Sequence, residues 1–249
     1  MNTLFIGQHH IHFPSIDSTN LFAVGLINDS SAFEGTLITA TEQLSGKGQR
    51  GNTWDSEAGK NLTLSIILKP LFLAPQRQFQ LNKMVSLAVL DFIISKFNAN
   101  ISVKWPNDVY INDKKAGGVL IQNFLRQDKI THSVIGIGIN INQMDFSGEL
   151  EHATSLKAVS GGDFDLNECL NELCECMEAR YFQLKSGSER INIDYLKNLY
   201  QLEEFKNYFI GDILVSARIK GVSGPGKLIL ENMDKDIIEC DLKEIRFTR

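Results

Sequence analysis

The stretch Lys104-Trp105-Pro106-Asn107-Asp108 decides the fold, because it is a rigid polar turn between two short apolar segments. The flanking residues predict a strand over Ile101–Lys104 and a second over Val109–Ile111. Pro106 fixes the turn and favours an extended conformation at Trp105. The turn is expected to present the indole as an apolar wall beside short polar groups, or else to be a structural turn with a half-buried tryptophan.

Outward from this turn, strands and helices mix without a regular βαβ alternation, which indicates an α+β class with a mixed sheet. Helical spacing begins at Leu81 and again at Leu166, and a shorter helix is expected after Thr19, with Asp17 or Ser18 as its cap. The remaining segments of the first two-thirds predict strands at Thr36–Thr41, Leu62–Leu68, Gly118–Phe124 and Thr131–Ile141.

After about Lys206 short alternating strands are separated by glycine- and aspartate-rich turns, which predicts a small antiparallel barrel. The strands are expected at Ile213–Ile219, Lys227–Glu231, Ile237–Cys240 and Ile245–Phe247. A unit of this size buries little core alone and should dock on the larger one. We therefore predict two domains, residues 1–204 and 205–249.

Bulk composition places the chain among ordinary globular proteins. The 249 residues are 43% hydrophobic and 22% charged, with a net charge of −5. This mild acidity argues against general nucleic-acid affinity. No apolar run reaches the ~18–20 residues of a membrane helix, and the N-terminus lacks a signal pattern, so a cytoplasmic protein is expected.

The cysteines are too few and too clustered to predict a disulfide framework. Cys169, Cys174 and Cys176 fall in an apparent helix, where Cys174 and Cys176 point in different directions. Tetrahedral zinc sites usually draw paired ligands from a turn, so no metal site is predicted here. The cysteines, Cys240 included, are interpreted as small buried apolar residues.

A basic glycine-rich loop, Gly46-Lys47-Gly48-Gln49-Arg50-Gly51, matches the spacing G-x-G-x-x-G. A dinucleotide-binding site needs a helix directly after the glycines, but here a turn and the strand Leu62–Leu68 follow. A P-loop is excluded as well, because no Gly-Lys-Ser/Thr follows. The loop can still hold an anion through its backbone N–H groups and its two cations, or it is a mobile basic surface loop.

Two further segments combine strands with glycine. Lys115-Ala116-Gly117-Gly118 begins a strand, and glycine there usually marks a close approach by another group. A hairpin at Asn112-Asp113 with solvated lysines explains Lys114 but not the two glycines. In Gly136–Asn142 glycine and asparagine alternate with isoleucine, which leaves one strand face nearly bare and able to accept a ligand or a packed element.

Taken in order, these segments resemble the catalytic domain of the biotin–protein ligases. The resemblance covers most of the chain and rests on five motifs: Ser18-Thr19-Asn20, Gln43 with the loop Gly46–Trp54, Lys104–Asp108, Lys115–Gly118 and Gly138-Ile139-Asn140. It implies a class II synthetase-like mixed sheet followed by an SH3-like β-barrel. It also implies an enzyme that joins biotin to a protein lysine through biotinyl-5'-adenylate, with ATP, biotin and Mg²⁺.

The resemblance assigns roles to residues of this sequence. Biotin binding is expected from Ser18, Thr19, Asn20, Gln43, Gly46, Lys47, Lys115, Gly117 and Gly118. ATP and adenylate binding is expected from Gly48, Gln49, Arg50, Gly51, Trp54, Lys104, Asn107, Gly138 and Asn140. Lys115, Asp108 and Arg50 are the candidate catalytic residues: Lys115 would neutralise charge at the α-phosphate, and Asp108 would orient or deprotonate the acceptor amine.

The loop departs from the common family pattern Gly-Arg-Gly-Arg-x-Gly-Arg. Lys47, Gln49 and Asn52 stand where arginines are usual, and Arg50 is shifted by one position. Either Arg50 or the loop backbone would then grip the adenylate. Arg50→Ala is expected to speed dissociation of the intermediate, and an unchanged rate would indicate that the backbone does the binding.

The resemblance also suggests partners and rivals. The expected acceptor is a biotin carboxyl carrier protein, or the equivalent domain of a biotin-dependent carboxylase, and the enzyme is expected to be a monomer or homodimer. The Ser-Thr-Asn motif begins at residue 18, which leaves no room for the DNA-binding domain of some members. The alternatives are a lipoate or octanoate ligase or transferase of the same fold, and a binding protein without turnover.

Overall fold

The first two-thirds of the chain fold around one large sheet. The computed structural model describes residues 1–146 and 152–248, and for Arg50 the backbone alone. The strands are β1 (His10–Ile16), β2 (Leu37–Gln43), β3 (Leu62–Leu68), β4 (Ile101–Lys104), β5 (Asp108–Ile111), β6 (Lys114–Arg126) and β7 (Lys129–Ile139). The helices are α1 (Thr19–Asn28), α2 (Phe79–Ile94), α3 (Leu156–Ser160), α4 (Leu166–Ser186) and α5 (Glu189–Lys197).

The large sheet has seven strands in the order β1-β2-β3-β7-β6-β5-β4. β1 pairs with β2 in parallel, and the other neighbours pair antiparallel. The sheet is therefore mixed, and the predicted α+β class is confirmed.

Strand β3 shows how the sheet separates its two faces, because successive side chains point in opposite directions. Leu62, Leu64 and Ile66 belong to the main core with residues of α2 and α4. Ile67, which follows Ile66 and points to the other face, packs there in a smaller cluster with Ala23 of α1. One face of the sheet is thus covered by the long helices, and the other carries α1 and the cavity described below.

The predicted elements are confirmed in type and approximate bounds, and the cap of α1 is Ser18 rather than Asp17, since Ser18 Oγ accepts from the N–H of Leu21. Asn112 and Asp113 both have positive φ, as a two-residue hairpin requires. The sequence reasoning missed β1, α3 and α5. β1 is a largely exposed edge strand that contains Pro14, so its apolar alternation is weak.

The C-terminal part is a five-stranded antiparallel sheet. Its strands are β8 (Phe205–Ile210), β9 (Ile213–Val222), β10 (Leu228–Asn232), β11 (Ile237–Cys240) and β12 (Ile245–Phe247), in the order β11-β10-β9-β8-β12. The C-terminal β-structure is confirmed, whereas β8 was missed. Closure into a barrel and the domain boundary between residues 204 and 205 stay predictions.

The C-terminal sheet docks on the turn Lys104–Asp108. Trp105 is buried, and its Nε1 donates a hydrogen bond of 2.9 Å to the carbonyl of Gly226, in the turn between β9 and β10. A side chain at Gly226 would overlap Phe79, because its Cβ would lie 2.6 Å from Phe79 Cγ. Tyr208 and Ile219 of the small sheet share the main core. Trp105 therefore joins the two parts of the chain instead of forming a cavity wall.

The predicted burial of the cysteines is confirmed for Cys169, Cys174 and Cys240, while Cys176 is half-buried. Burial raises the pKa of the Cys174 thiol to about 12, so this group stays a neutral thiol at physiological pH. Among residues 1–146 and 152–248, no helix is long and apolar enough to cross a membrane.

Candidate active site

A cavity of about 300 Å³ lies on the sheet face that carries α1. Three glycines, Gly118, Gly136 and Gly138, form its floor on β6 and β7. Gly118 and Gly138 lie side by side, because they are directly paired between β6 and β7. The bare strand face predicted from the alternation of glycine and isoleucine is therefore present; it borders the cavity, and the side chains of Trp54 and Asn20 pack against it.

One end of the cavity is polar, and the N-terminus of α1 forms it. Ser18 caps the helix, and Thr19 and Asn20 follow in its first turn. All three side chains are buried and line the cavity, together with Gln43 from the end of β2. Gln43 Oε1 accepts from the backbone N–H of Thr19 at 2.8 Å and from Thr19 Oγ1 at 2.9 Å. Four residues predicted to bind biotin therefore meet at this end.

The glycine-rich loop forms a narrow hairpin over the cavity. Its hydrogen bonds run from Gly48 N to Asn52 O (2.7 Å) and from Trp54 N to Gly46 O (3.0 Å). Lys47, Gly48 and Gln49 line the cavity from this loop, together with Trp54 at its end. The loop is thus placed to close over a bound molecule and to offer it both backbone N–H groups and a cation.

Trp54 lies flat against the glycine floor. A Cβ built on Gly138 would lie 2.6 Å from Trp54 Nε1, and one on Gly118 would lie 3.2 Å from Trp54 Cζ3. Within the described part of the chain, the buried Nε1 atom has no hydrogen-bond partner. The half-buried indole offers a stacking surface to a ligand, while its unused Nε1 donor lies against the glycine floor.

Lys115 and Asp108 form an ion pair at the middle of the cavity. Lys115 Nζ lies 2.8 Å from Asp108 Oδ1, with the two side chains 35% and 28% exposed. The same Nζ is 5.6 Å from the centre of the Trp54 ring. The segment His152–Thr154 holds the backbone of Lys115: the Lys115 N–H donates to the carbonyl of His152, and the Lys115 carbonyl accepts from the N–H of Thr154. The cavity therefore holds a positioned cation and a carboxylate side by side.

Asn107 lines the cavity but also has a structural role. Its Nδ2 donates to the carbonyl of Val119, and its carbonyl accepts from the N–H of Val119 at 3.2 Å. This pair of bonds ties the turn after β4 to the floor strand β6. The turn therefore holds Asp108 at a constant distance from Lys115.

Several predicted site residues do not line the cavity. Lys104 lies outside it, where its Nζ is 5.0 Å from the ring centre of Tyr110 and 4.7 Å from that of Phe247. The pKa of Lys104 is lowered, mainly by burial. The nearby Asp108 carboxylate partly offsets this shift, and the Lys115 cation adds to it. Asn140 is buried and donates to the carbonyl of Thr154 at 3.0 Å.

Of the predicted glycines, Gly46, Gly51 and Gly117 are also absent from the cavity lining. Gly117 belongs to the opposite sheet face, where a Cβ would meet Val89 of α2 at 3.7 Å. The side chain of Arg50 lies outside what the structure describes, so its predicted role stays a prediction.

Sequence reasoning missed part of the lining: Asn52, Thr53, Thr63, Leu64, Pro106, Val119, Leu120, Gly136, Ile137 and Leu242. Thr63 could have been found, because it alternates with the apolar residues of β3 and so belongs to their opposite face. Leu242 had no such signal. It comes from the loop between β11 and β12, and only the docking of the small sheet brings it to the cavity.

The arrangement suits a two-part ligand that reacts in the middle. The polar end, the loop with its indole and the Lys115–Asp108 pair all line the same cavity. A cation held at the junction would stabilise negative charge that develops there. The neighbouring carboxylate is positioned to accept a proton or to orient an amine.

Comparison with known proteins identifies this arrangement. A sequence model of the Biotin/lipoate A/B protein ligase family matches residues 12–140. The chain is 36% identical over 184 residues to the bifunctional ligase/repressor BirA of Bacillus spizizenii, which covers 73% of this chain and 56% of that protein. It is 28% identical over 221 residues to the biotin--[acetyl-CoA-carboxylase] ligase of Paracoccus denitrificans, covering 86% of this chain and 90% of that one.

The fold is also shared with a solved structure, the biotin protein ligase of Aquifex aeolicus in complex with biotin and ATP. The TM-score is 0.79 at 26% identity, over 97% of this chain and 99% of that one. The chain spans only 56% of the length of the first two curated relatives. Since the family match runs from residue 12 to residue 140, more than half of the 249 residues, the chain belongs to the biotin/lipoate A/B protein ligase family.

Proposed function

We propose that this protein is a biotin–protein ligase. It would activate biotin with ATP as biotinyl-5'-adenylate and then transfer biotin to a lysine of a carrier domain. The observation that carries the proposal is the Lys115–Asp108 pair, 2.8 Å apart between a buried polar end and a glycine-rich loop. The names of the Paracoccus and Aquifex proteins, which specify biotin, favour it over the lipoate branch of the family.

In the first half-reaction the biotin ring occupies the polar end, where Ser18, Thr19, Asn20 and Gln43 meet its polar atoms. Lys47 and Gly118 complete the lining of the proposed biotin site, and Gly46 and Gly117, which lie outside that lining, would serve it as neighbours of these two residues. The biotin carboxylate oxygen attacks the α-phosphorus of ATP, a new O–P bond forms, and the bond to the β-phosphate oxygen breaks to release pyrophosphate. Lys115 lies where negative charge accumulates in this step and stabilises it.

The adenosine half lies under the loop. Gly48, Gln49, Arg50 and Gly51 provide backbone N–H groups and charge for the phosphates, and Trp54 provides a stacking surface. Asn107, Gly138 and Asn140 complete the proposed set, Asn140 by holding the end of β7 in place. Lys104 stays in this proposed set, although it lies outside the cavity lining with its Nζ against Tyr110 and Phe247.

Mg²⁺ enters this scheme with ATP. Mg²⁺ usually keeps several water ligands and uses one or two carboxylates together with phosphate oxygens. Among the described lining residues, Asp108 is the carboxylate. The donor set fits a metal ion that the ATP phosphates hold, and its chemistry would be to neutralise phosphate charge.

In the second half-reaction the acceptor lysine must lose a proton before it attacks, because a free lysine has a pKa near 10.4. Asp108 is the proposed group that orients or deprotonates this amine. The amine nitrogen then attacks the carbonyl of the adenylate, an amide forms, and AMP leaves. Asp108→Asn is expected to slow transfer from preformed adenylate by about 100-fold; unchanged transfer would eliminate the role.

The proposed acceptor is a biotin carboxyl carrier protein or the corresponding domain of a biotin-dependent carboxylase. The proposed setting is the cytoplasm, with a monomeric or homodimeric enzyme that does not bind nucleic acid. Incubation with a purified carrier domain, biotin and ATP should yield a carrier heavier by one biotinyl group.

Pyrophosphate exchange is the decisive test. Labelled pyrophosphate should enter ATP when biotin is present, and should not do so with lipoate or octanoate. Exchange with lipoate or octanoate instead would assign the chain to the other branch of the family. Absence of exchange with any acid, while biotin still binds, would indicate a binding protein without turnover.

A further inference from the structure

A serine that does not touch the cavity lies behind its polar end. Ser65 is on β3, on the same face as Thr63, and is 0% exposed. Its Oγ donates to Thr19 Oγ1 at 2.8 Å and also contacts Asn20 Oδ1. A buried hydroxyl in a strand that is otherwise largely apolar lowers stability unless it is bonded, and here its bonds go to two of the proposed biotin-binding residues.

The direction of the hydrogen bonds follows from one backbone group. The Thr19 N–H can only donate, so the Gln43 atom 2.8 Å away must be its carbonyl oxygen. Thr19 Oγ1 lies 2.9 Å from the same oxygen, which can only accept, so the single hydroxyl proton of Thr19 is donated to Gln43 Oε1. Thr19 Oγ1 can then only accept from Ser65, and because Ser65 has a single proton, the Asn20 amide, whose O and N positions are interchangeable by a flip, must present its NH₂ group to Ser65 Oγ.

This chain of bonds leaves two groups unused. Thr19 Oγ1 keeps one lone pair, and the NH₂ group of Gln43 takes no part in the network. A ligand that offers an N–H next to a C=O matches these two groups, as the ureido ring of biotin does. A dithiolane ring or a plain acyl chain offers neither group, so it would leave both partners unsatisfied.

Packing supports the same assignment. Ser65 pairs with Gly136 across β3 and β7. The side chain of Asn20 fills the space above that glycine, since a Cβ at Gly136 would lie 2.6 Å from Asn20 Nδ2. Ser65 and Gly136 together thus hold Asn20 and Thr19 in one position at the end of the cavity.

We propose that Ser65 is a positioning residue that, through its contacts with Thr19 and Asn20, holds the polar end in the arrangement that selects a ureido acid over a lipoyl or octanoyl acid. The proposal rests on the proposed function. It concerns recognition and not the reaction centre, because Ser65 does not line the cavity, whereas Lys115 and Asp108 do.

Ser65→Ala tests the proposal. Ser86→Ala is the matched control, because Ser86 in α2 is also 0% exposed and its Oγ has no hydrogen-bond partner within the described residues. Binding of biotin and of dethiobiotin, which keeps the ureido ring, would be measured by calorimetry without ATP. Exchange kinetics with biotin, lipoate and octanoate would follow, with thermal unfolding of each variant.

Ser65→Ala should weaken the binding of biotin and dethiobiotin by about 10-fold each, the effect of losing one buried hydrogen bond. KM for biotin should rise by the same factor, with KM for ATP and kcat nearly unchanged, and the preference for biotin over lipoate should fall about 10-fold. Ser65→Cys, which keeps a weak donor, should recover part of the loss.

The proposal would be overturned if Ser65→Ala bound biotin within 2-fold of wild type, or lowered kcat equally for every acid, as a general loss of structure would. The readouts separate it from the proposed function. If the wild-type protein binds biotin but shows no pyrophosphate exchange, the proposed ligase function is wrong. The effect of Ser65→Ala on biotin binding would still test the role of Ser65. If wild type does not bind biotin, both fail.

Discussion

Replacement of Gly138 by alanine should separate the adenosine half of the site from the biotin half. The new Cβ would lie 2.6 Å from Trp54 Nε1, whereas ordinary contacts lie at 3.4–4 Å. The indole must therefore retreat by about 1 Å, because closely packed groups do not accept such overlap. Its backbone is held by the 3.0 Å bond from Trp54 N to Gly46 O, so the loop has to move with it.

A misplacement of about 1 Å near a reacting centre can cost about 100-fold in rate, and overpacking costs about 1–3 kcal/mol of stability. We expect kcat/KM for ATP in biotin-dependent exchange to fall by about 100-fold. Biotin affinity measured without ATP should change less than 3-fold, because the polar end is formed by α1 and Gln43. The emission of Trp54 should also shift; Trp105, the other of the two tryptophans, is buried away from the cavity.

Gly25→Ala is the matched control, since a Cβ at Gly25 in α1 meets nothing within 4 Å. It should stabilise the helix by about 0.5–1 kcal/mol and leave exchange unchanged. The reasoning would be refuted if Gly138→Ala kept kcat/KM for ATP within 3-fold of wild type and an unchanged emission spectrum. The close contact between Trp54 and Gly138 would then not be required for the use of ATP.

Three further predictions concern stability. Glu178 of α4 accepts from the N–H groups of Leu4, Phe5 and Ile6 at 2.6–3.0 Å, so Glu178→Gln should cost about 2 kcal/mol in urea unfolding, and a loss below about 0.5 kcal/mol would contradict this account. Arg180 bonds both Asp91 and Asp194, so Arg180→Met, which leaves Asp91 without this cation and Asp194 with Arg190 alone, should cost about 3 kcal/mol; full stability would show that water and Arg190 compensate the carboxylates. Lys83 is 5% exposed and donates to Asn192 Oδ1, and burial lowers its pKa to about 8. Between pH 8 and about 10.4 the unfolded chain holds this proton and the native state does not, so stability rises with pH in that window. Lys83→Met should be more stable than wild type at pH 7 by roughly 2 kcal/mol, an advantage that shrinks towards pH 10, and a constant difference would refute the shift.

Much of the site was predictable because its chemistry is local in the chain. Ser18, Thr19 and Asn20 are consecutive, and a cap followed by a helix turn places all three at one helix end. Lys115 and Asp108 belong to strands joined by a short hairpin, which brings them into contact once the strands pair. The alternating glycines of β7 predict a bare strand face, and Trp54 packs against this face at Gly138.

Tertiary packing decides where the side chains of the turn Lys104–Asp108 lie. Lys104 and Trp105 lie in the most recognisable motif, yet neither lines the cavity, because the side chains around a turn point in several directions and tertiary packing selects among them. Lys104 lies against Tyr110 and Phe247, and Trp105 bonds Gly226 of the C-terminal sheet. A motif identifies a turn, whereas the elements that pack around it decide which of its side chains face the ligand.

The amino-acid sequence by itself determined the class of the fold, most of its strands and helices, and the residue types of a polar pocket, a glycine-rich loop and a lysine–aspartate pair. The elements follow from periodicity, capping and turn chemistry, which act over a few neighbouring residues, whereas the roles of the polar pocket and of Lys115 and Asp108 followed from the resemblance to a known family. Only the tertiary structure decided that Ser65 lies behind Thr19, that Trp54 lies on Gly138, and that Leu242 reaches the cavity. Those contacts join residues far apart in the chain, and they depend on sheet register and domain docking, which no local pattern encodes.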